Sequence, residues 1–365
     1  MARSIEKKKL YVLHIAEILK GGIATYLNEI LALQSNSDLI HQLAVLAPKS
    51  QKEYLNNFPH VKIFYFNDFR LRVLNVLSLY FTFVQIFFRS EFNIVHLHST
   101  FAGFSVRLFY GLFRSSKIKI IYCSHGWAFD RNVAEWKNRL LVHVEKILAF
   151  GCDTIICISK HDFLMAKNNN VGSSKLVIVQ NSIKNIELPI SNIDWPKGKL
   201  RVLFAGRFDR QKGVDIFFSA MSQLQNIVYA YAAGDQSSGD QSYIEPPSNV
   251  NLLGWTQHDK LQQYFVSCDV FVIPSRWEGF GLSALEAMRA SKPVIASNVG
   301  GLPELIEHGV TGYLISSNSV DDLVNILKSL TPDLCKEMGS NAREKYLKFF
   351  TSERLSREIL DLYLN

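Results

Sequence analysis

Short apolar runs typical of strands alternate with stretches typical of helices along most of the 365 residues, and the pattern occurs twice. The first half holds seven strand-like runs: Leu10–Ala16, Gln42–Leu46, Val61–Phe66, Ile94–His98, Ile118–Ser124, Thr154–Ser159 and Leu176–Gln180. The second half holds six: Arg201–Ala205, Ile227–Ala233, Val250–Leu253, Val270–Ile273, Pro293–Ser297 and Gly312–Leu314. Strands that alternate with helices favour an α/β fold whose sheets are mainly parallel and doubly wound.

A polar segment with two prolines and no periodicity separates the two halves. It predicts a linker at 185–199 between an N-terminal Rossmann-like domain at 1–184 and a second one at 200–348. A chain of this length is expected to form two cores, because single cores stop growing at about 250 to 300 residues. The last amphipathic segment, 349–365, is predicted to be a helix that crosses back to the first domain.

The composition is that of an ordered globular protein, with 48% hydrophobic and 20% charged residues. The five cysteines are an odd, scattered set in apolar surroundings, which is typical of a reduced, cytoplasmic protein. The first apolar run ends at Ala16 and is shorter than a signal or transmembrane segment needs. We therefore expect a cytoplasmic chain whose first apolar run is a strand.

The net charge of +7 lies entirely in the first half. Residues 1–150 contain 19 Lys and Arg against 10 Asp and Glu, a net of +9, whereas residues 151–365 contain 21 against 23, a net of −2. Such a basic half is compatible with nucleic acid or with an anionic membrane. No helix-turn-helix, zinc-finger or RNA-recognition pattern accompanies it, so no nucleic-acid partner is expected.

The segment with the most specific pattern, 274–288, directly follows a predicted strand and reads Pro-Ser-Arg-Trp-Glu-Gly-Phe-Gly-Leu-Ser-Ala-Leu-Glu-Ala-Met. Ligands of open α/β sheets bind at the carboxyl ends of strands. The glycines at 279 and 281 allow a tight backbone path, and a helix that starts near Leu282 would direct its N–H groups at a phosphate. Two carboxylates flank this loop, Glu278 and Glu286, and can grip the hydroxyl pairs of a sugar or ribose. Two isolated glutamates would more often be solvated surface residues.

A second loop, 204–213, follows another predicted strand and carries Gly206, Arg207 and Lys212. The glycine permits a close turn, while the guanidinium fork and the ammonium group are able to converge on a diphosphate. Such cations would neutralise a departing phosphate. A solvated basic loop is the alternative interpretation.

In the first half, the pair Gly21 and Gly22 joins the first strand to the first helix, where a backbone can approach a phosphate. His125 follows a strand and precedes Gly126-Trp127, so its imidazole is predicted at the strand's carboxyl end. Alternation along a neighbouring strand puts His96 and His98 on one face. Two histidines without further ligands do not predict a metal site.

These segments resemble family 4 retaining glycosyltransferases of the GT-B fold. Glu278 and Glu286, separated by seven residues, are similar to the family's paired glutamates, and the intervening residues and Ala287-Met288 fit the same pattern. The likeness extends from Gly21 to the final helix and is strongest over 200–315. It implies two tandem, doubly wound Rossmann-like domains that face each other across a cleft, with the donor bound mainly by the second domain and the acceptor by the first.

The resemblance also implies residue roles. Glu278 would be catalytic, contacting the donor sugar and stabilising the transition state, and His125 would contact the sugar's 6-position. The remaining donor-binding residues implied are Arg207, Lys212, Glu286, Phe280, Gly281, Leu282, Gly21, Gly22 and Gly206. His98 and Trp127 are the acceptor-side candidates.

The chain departs from the family pattern in two places. The segment before the linker retains only Asn181 and Ile183, and the loop at 233–236 retains only part of a glycine pair near the nucleotide base. No Asp-any-Asp segment is present, so metal-independent transfer is expected, with no metal and no cofactor other than the nucleotide diphosphate sugar as donor. UDP is favoured by family frequency, and the expected acceptor is a saccharide or lipid-linked saccharide of surface polysaccharide or lipopolysaccharide synthesis.

Three other functions are less well supported. A non-catalytic nucleotide-binding scaffold subunit would not be expected to keep both glutamates and both cations. A nucleotide-sugar epimerase lacks such a paired-glutamate loop. A phosphorylase needs a lysine that holds pyridoxal phosphate, and no signature of one is present.

One apolar stretch in the first half suggests membrane attachment. Residues 73–88 are uncharged and apolar nearly all round as a helix, yet too short to span a bilayer. They form either a core helix or a membrane contact. A second stretch mixes aromatic residues with Arg107, Arg114 and Lys117, as interfacial segments do. The expectation is a peripheral protein on the inner face of the cytoplasmic membrane, drawn to an anionic surface by these cations.

Overall fold

The computed structural model describes residues 9–112, 117–130, 134–236 and 245–365. The chain forms two compact units. Unit 1 consists of Met1–Ser182 together with Ser352–Asn365, and unit 2 consists of Ile183–Thr351. Arg114 lies outside the described residues.

Unit 1 is built on a seven-stranded parallel sheet. Its strands are β1 (Leu10–Ala16), β2 (Ile40–Pro48), β3 (Val61–Phe66), β4 (Ile94–His98), β5 (Lys119–Cys123), β6 (Thr154–Cys157) and β7 (Leu176–Ile178). Their spatial order is β3-β2-β1-β4-β5-β6-β7, so the order reverses between β1 and β4. Strands β1, β4 and β6 are buried along nearly their whole length, as expected for a parallel sheet covered on both faces.

The helices of unit 1 are α1 (Gly22–Gln34), α2 (Arg72–Arg89), α3 (Thr100–Leu112), α4 (Glu135–Leu148) and α5 (Lys160–Asn168). The last helix of the chain, α12 (Ser352–Leu364), also belongs to unit 1, where it packs against α1. Its buried face includes Leu355, Ile359 and Tyr363. Lys119 at the start of β5 donates to the carbonyl of Leu362 at 2.6 Å and so ties the end of this helix to the sheet.

Unit 2 contains a six-stranded parallel sheet in the order β10-β9-β8-β11-β12-β13, which reverses between β8 and β11. Its strands are β8 (Leu200–Ala205), β9 (Val228–Ala233), β10 (Val250–Gly254), β11 (Val270–Ile273), β12 (Val294–Ser297) and β13 (Gly312–Ile315). Its helices are α6 (Val214–Ser222), α7 (His258–Ser267), α8 (Leu282–Arg289), α9 (Leu302–Leu305), α10 (Val320–Ser329) and α11 (Pro332–Phe349). The predicted doubly wound α/β fold is confirmed, and every predicted strand is present with bounds that differ by at most two residues.

Two groups of helices differ in how they begin. Helices α5, α10 and α11 have Ser or Thr caps whose side chains accept from a backbone N–H of the first turn, at 3.0 to 3.2 Å. Helices α1, α6 and α8 are preceded by glycine and have no side-chain cap. Their first N–H groups therefore have no partner from a capping side chain, which suits the ends of helices that meet a ligand.

Helix α2 is a core helix on one face only. Leu79, Phe83 and Ile86 are buried, whereas the opposite face is exposed and apolar, with Val73 71% and Phe88 75% exposed. Within the described ranges, no helix is long and apolar enough to cross a membrane.

The prediction that Arg107 faces a membrane is wrong. The side chain is buried in unit 1, donates to Glu145 on α4 at 2.9 Å and lies 3.6 Å from the centroid of the Tyr122 ring. Helix α3 turns Arg107 inward, whereas Phe104 and Leu108 remain exposed. Burying a charge is costly unless it is paired, and this ion pair with its cation–π contact offsets that cost.

Candidate active site

In unit 2, two loops meet at the point where the strand order reverses. Loop A, residues 206–213, follows β8, and loop B, residues 274–281, follows β11. Because β8 and β11 are adjacent and parallel, their carboxyl ends lie at the same edge of the sheet. This is where ligands bind in open α/β sheets.

Loops A and B are joined by hydrogen bonds. The backbone N–H of Arg276 donates to the carbonyl of Gln211 at 2.8 Å, and the Gln211 amide donates to the carbonyl of Trp277 at 3.2 Å. The Arg276 guanidinium donates to both carboxylate oxygens of Asp215, at 2.7 and 2.6 Å, and to the carbonyl of Arg210 at 2.9 Å. Such a bidentate pair fixes geometry as well as adding energy, so loop B is tied both to loop A and to the first turn of α6.

The pairing of Lys212 with Glu278 brings the predicted cation and the predicted catalytic carboxylate into contact. The Lys212 ammonium lies 2.5 Å from Glu278 Oε2, and Ser275 donates to the same oxygen at 3.4 Å. Both side chains are largely shielded from solvent. The sequence predicted that these residues serve one site but not that they pair with each other.

Arg207 is the exposed cation of loop A, with 56% of its side chain accessible. Its guanidinium lies 3.1 Å from Asp209 and donates to Gln211 at 2.7 Å. Asp209 in turn accepts from the backbone N–H of Lys212 at 3.0 Å. The side chain is therefore oriented at its base and remains open to an anion at its tip.

Glycines shape the backbone around Glu278. Gly281 adopts φ +98° just before α8, where a side chain would be strained, while the Phe280 side chain packs in the core. A Cβ on Gly300 would lie 1.7 Å from the carbonyl oxygen of Glu278. The turn after β12 therefore presses directly on loop B, a contact that the sequence did not reveal.

Loop A does not require glycine at position 206 to avoid a steric clash. A Cβ on it would meet only the Lys212 stem at 3.4 Å, an ordinary contact. The close approach is made by Gly234 at the end of β9, where a Cβ would lie 1.9 Å from the Gly206 carbonyl oxygen. The loop that departs from the family pattern thus retains a glycine for a steric reason.

Glu286 lies on the first turns of α8 and contacts α7. Its Oε1 is 3.0 Å from His258 Nε2 and accepts from the Gln262 amide at 3.4 Å. This hydrogen bond raises the pKa of His258 above its usual value. Gln262 is itself held by Arg289, which donates to it at 2.8 Å. His258 was missed from the sequence, because an exposed histidine at a helix start carries no distinctive pattern.

In unit 1, the reversal of strand order lies between β1 and β4, and the predicted glycines and histidines gather there. Gly21 has φ +61° at the entrance to α1, and a Cβ on it would meet no atom within 4 Å. His125 and Ser99 follow β5 and β4 with φ +56° and +81°. Non-glycine residues in this left-handed region are held there at a cost of about 1 to 3 kcal/mol and cluster at functional sites.

Four histidines occupy this edge of the unit 1 sheet. His98 is hydrogen-bonded on one side to His14 (Nε2 to Nδ1, 2.9 Å) and on the other to His125 (Nδ1 to Nε2, 3.1 Å). We name His14, His98 and His125 the histidine chain. His96 stands beside it, with its ring 4.3 Å from that of His98.

All four imidazoles are neutral near pH 7. Burial lowers the pKa of His14 to about 4 and that of His125 to about 3. The pKa values of His96 and His98 are lowered well below their usual range, also mainly by burial. The group carries polar atoms but no charge.

Three of these residues, His14, His96 and His98, have ring nitrogens within 4.8 Å of one another, the closest approach to a metal-ligand set in the described part of the chain. However, the His14 and His98 rings are tilted by only 16° with centroids 5.2 Å apart, as when two rings meet edge to edge through a hydrogen bond. Their lone pairs point along that bond and not at a common point, which a tetrahedral ion would require.

Two acceptor-side candidates are buried. Trp127 is 2% exposed, donates its indole N–H to the carbonyl of Asp162 at 2.8 Å and stacks on Phe129. Its hydrogen-bonding group is thus already used, and the prediction that it meets an acceptor is wrong for this conformation. His98 is fully buried between the other two rings of the histidine chain and is not exposed to an acceptor either.

Comparison with known proteins identifies the family. The model described as Glycosyltransferase Family 4 matches residues 20–184, and that described as Glycosyl transferases group 1 matches residues 186–345. An uncharacterized 41.2 kDa protein in the cps region of Klebsiella pneumoniae is 32% identical over 351 residues, which cover 92% of this chain and 96% of that protein. The chain belongs to glycosyltransferase family 4.

Two further likenesses agree with this family 4 assignment. The UDP-Gal:alpha-D-GlcNAc-diphosphoundecaprenol alpha-1,3-galactosyltransferase of Escherichia coli is 25% identical over 80% of this chain and 79% of its own length. The Anabaena protein HepE, solved in complex with UDP and glucose, superposes with a TM-score of 0.77 at 20% identity, over 97% of this chain and 99% of that one. The family 4 transferase therefore has the GT-B fold and is a glycosyltransferase, as the sequence predicted.

Proposed function

We propose that this family 4 transferase moves a hexosyl group from a UDP-sugar, with retention of anomeric configuration, to a lipid-linked saccharide during surface polysaccharide synthesis. The observation that carries the proposal is the Lys212–Glu278 pair within the joined loops A and B. It unites a cation for the leaving diphosphate with a carboxylate for the positive charge that develops on the sugar. The galactosyltransferase relative, whose name specifies a UDP-sugar donor and a diphosphoundecaprenol-linked acceptor, supports these substrate classes.

In the proposed reaction, the bond between the anomeric carbon and the β-phosphate oxygen breaks, and its electron pair remains on that oxygen. Arg207, Lys212 and the open N-terminus of α8 stabilise the diphosphate as it departs. The acceptor hydroxyl attacks the same face of the sugar and gives its proton to the departing phosphate oxygen. Glu278 stabilises the sugar cation and Glu286 binds the ribose hydroxyls.

Donor identity is tested with a panel of UDP-, GDP- and ADP-sugars, first by thermal shift and then by transfer to a lipid-linked acceptor. A bound donor raises the melting temperature in proportion to its affinity. We expect UDP-sugars to give the shift, and Arg207→Ala to lower kcat/KM by about 10²-fold or more, since a contact to the leaving group is lost. Arg210→Ala, an exposed arginine of the same loop, is the matched control. Equal activity of the two variants would reject the role of Arg207.

The acceptor class leads to a second part of the proposal, attachment to an anionic membrane through unit 1. Helix α3 packs against both α2 and α4, so the three helices form one layer. Its outer side displays large apolar side chains: Val73, Leu74, Leu77, Phe81, Phe88, Phe104, Leu108, Trp136, Leu140 and Ile147. We name this set the apolar surface. Exposed apolar surfaces of this kind mark protein or membrane contacts.

Charge favours a membrane as the occupant of the apolar surface. Exposed cations lie on two of these helices, Arg72 and Arg89 on α2 and Lys137 on α4, and Lys117 is exposed just before β5. Each cation near an anionic leaflet contributes about 1 kcal/mol. Apolar side chains ringed by cations match an interfacial contact with anionic lipid. A lipid-linked acceptor would be reached from such a position, on the inner face of the cytoplasmic membrane.

Vesicle sedimentation tests the attachment. We expect binding to phosphatidylglycerol vesicles at low salt, weaker binding at high salt and weak binding to phosphatidylcholine. Leu77→Glu with Phe81→Glu should abolish binding, because each charge would enter the interface. Trp255→Glu, at an aromatic residue of unit 2 that is more exposed than either, should leave binding unchanged. Absence of binding to anionic vesicles, or equal loss in the control, would reject the membrane role while leaving the transferase assignment intact.

A further inference from the structure

At the His14 end of the histidine chain, a glutamine side chain determines which nitrogen of each ring donates and which accepts. Gln34 on α1 lies beside His14, with its Oε1 2.7 Å from His14 Nε2, and its amide nitrogen donates to the Tyr363 hydroxyl at 3.3 Å. An amide oxygen accepts and never donates. With the amide in this orientation, the proton between Gln34 and His14 belongs to His14 Nε2.

Each neutral imidazole in the chain passes this constraint to the next. A neutral ring has one N–H and one bare nitrogen, so a donor at one nitrogen makes the other an acceptor. His14 Nδ1 is then bare and accepts from His98 Nε2, whose own Nδ1 is bare and accepts from His125 Nε2. The rings of His98 and His125 are tilted by only 30°, with centroids 5.4 Å apart, as an edge-to-edge hydrogen bond requires.

We infer that Gln34, His14 and His98 are positioning residues that fix the tautomer of His125, so that His125 presents a bare Nδ1 to a hydroxyl of the transferred sugar. His125 is the only ring of the chain that is partly exposed, and no described residue forms a hydrogen bond with its Nδ1. Its φ of +56° holds the backbone in a strained state that the surroundings must impose. The inference rests on the proposed function in so far as the hydroxyl belongs to a donor sugar.

The tautomer matters because a sugar hydroxyl both donates and accepts. A bare Nδ1 takes the hydroxyl proton into a hydrogen bond and leaves the oxygen lone pairs for other donors. A protonated Nδ1 would instead require the hydroxyl oxygen as acceptor, and the hydroxyl proton would then be unpaired unless another acceptor lay nearby. A buried polar group that faces a mismatched partner is costly, so a fixed tautomer distinguishes sugars by the direction of one hydrogen bond.

Nitrogen NMR of the imidazoles tests the inference without any substrate. Protonated and bare ring nitrogens resonate in separate regions, so the tautomer of each assigned histidine is read directly. In the wild-type protein at pH 7, we expect His14, His98 and His125 all to carry the proton on Nε2. A His125 protonated on Nδ1, or an even mixture, would overturn the inference. So would stoichiometric zinc in the purified protein, which would replace the proton between His14 and His98.

A matched pair of variants on β4 distinguishes the effect of the histidine chain from the effect of losing any buried imidazole nearby. His98→Leu removes the link to His125 and should leave His125 as a mixture of tautomers. His96→Leu removes an equally buried imidazole two residues away that is not in the chain and meets Gln34 only through the Tyr363 hydroxyl, 2.8 Å from its Nδ1, so the His125 tautomer should be unchanged. Should His98→Leu fail to fold, Gln34→Met removes the Gln34 amide alone and should also give a mixture. A His125 that keeps its tautomer in both Gln34→Met and His98→Leu would overturn the inference.

Kinetics supply a second readout once a donor is known. We expect His98→Leu to lower kcat by about 10-fold, the size typical of groups that orient a functional histidine, with the affinity for free nucleotide unchanged. His96→Leu should retain wild-type kcat. A protein with the expected tautomers but no transfer from any nucleotide sugar would reject the proposed function and leave the tautomer assignment standing.

Discussion

The contact between Lys212 and Glu278 leads to a prediction with an unexpected sign. In the free protein the Lys212 ammonium is engaged by Glu278 at 2.5 Å. A nucleotide diphosphate that needs this ammonium must compete with the carboxylate. Glu278→Gln should therefore tighten the binding of UDP, which lacks the sugar that Glu278 would contact, although it lowers turnover.

The size of the effect follows from the environment of the pair. A fully exposed ion pair contributes about 0 to 1 kcal/mol, and screening limits what even a close pair adds. Here 20% of the lysine side chain and 12% of the glutamate side chain are exposed, so we take the upper end of that range, about 1 kcal/mol. This amounts to about fivefold in the dissociation constant of UDP, since 1.4 kcal/mol is tenfold. Turnover should fall by about 10²-fold or more.

Isothermal titration calorimetry with UDP measures the first quantity. Lys212→Met should bind UDP more weakly than wild type, and adding Glu278→Gln to that variant should bring no gain, because the gain depends on Lys212. Glu307→Gln, an exposed carboxylate of unit 2, controls for the change in net charge. The advantage of Glu278→Gln should shrink at high salt.

One result would refute this reasoning. If folded Glu278→Gln bound UDP no more tightly than wild type at low salt, Lys212 would not be shared between the carboxylate and the diphosphate. The same conclusion would follow if Glu307→Gln tightened UDP binding equally, since the gain would then be a long-range charge effect.

Three other predictions concern the loops and the histidines. Gly300→Ala should displace the Glu278 carbonyl and abolish transfer with the fold retained, whereas Gly309→Ala, at φ +80° with no atom within 4 Å of its Cβ, should cost only the backbone strain and keep activity. The hydrogen bond to Glu286 raises the pKa of His258, so this pair stabilises the fold fully below about pH 6.5 and loses its contribution as the pH rises through the higher folded pKa. In Glu286→Gln, the pKa of His258 should return towards its ordinary value. An unchanged His258 titration, measured by NMR, would contradict the assignment. The four neutral histidines of unit 1 have the opposite effect, since their folded pKa values are lowered. Their contribution to the free energy of unfolding should be complete above about pH 6.5 and fall below that pH by about 1.4 kcal/mol per pH unit for each proton bound on unfolding. Urea unfolding curves that coincide at pH 7 and pH 5 would contradict this prediction.

The strands were predictable from the sequence, but the contacts between their ends were not. Each strand is a local run of apolar residues, so its position follows from periodicity alone. The contact of Lys212 with Glu278 depends on β8 lying beside β11 and not on the order of the strands along the chain. The glycine-containing loops after β8 and β11 each indicated part of a site, but only the strand order shows that the two loops are adjacent.

The positions of the Arg107 and His14 side chains could not be predicted from the local sequence pattern. The segment around Arg107 mixes cations with aromatic residues, which is typical of an interface, yet the helix buries the arginine and exposes Phe104 and Leu108. Composition does not specify which face of a helix turns inward when a buried partner, here Glu145, lies 38 residues away. His14 was missed because it lies in an otherwise apolar strand, and its partner His98 is on β4, a strand that comes next to β1 only in the folded sheet.

The two units differ in the charge of the side chains at the point where the strand order of each sheet reverses. In unit 2, the reversal of strand order collects cations and carboxylates beside the uncapped starts of α6 and α8. In unit 1, the same topological point collects histidines that burial keeps neutral. Neutral imidazoles add no positive charge to a diphosphate, but each offers one donor and one acceptor in a fixed direction. In the function that we propose, unit 2 would recognise the charge of the nucleotide, and unit 1 would distinguish hydroxyl groups by the direction of their hydrogen bonds.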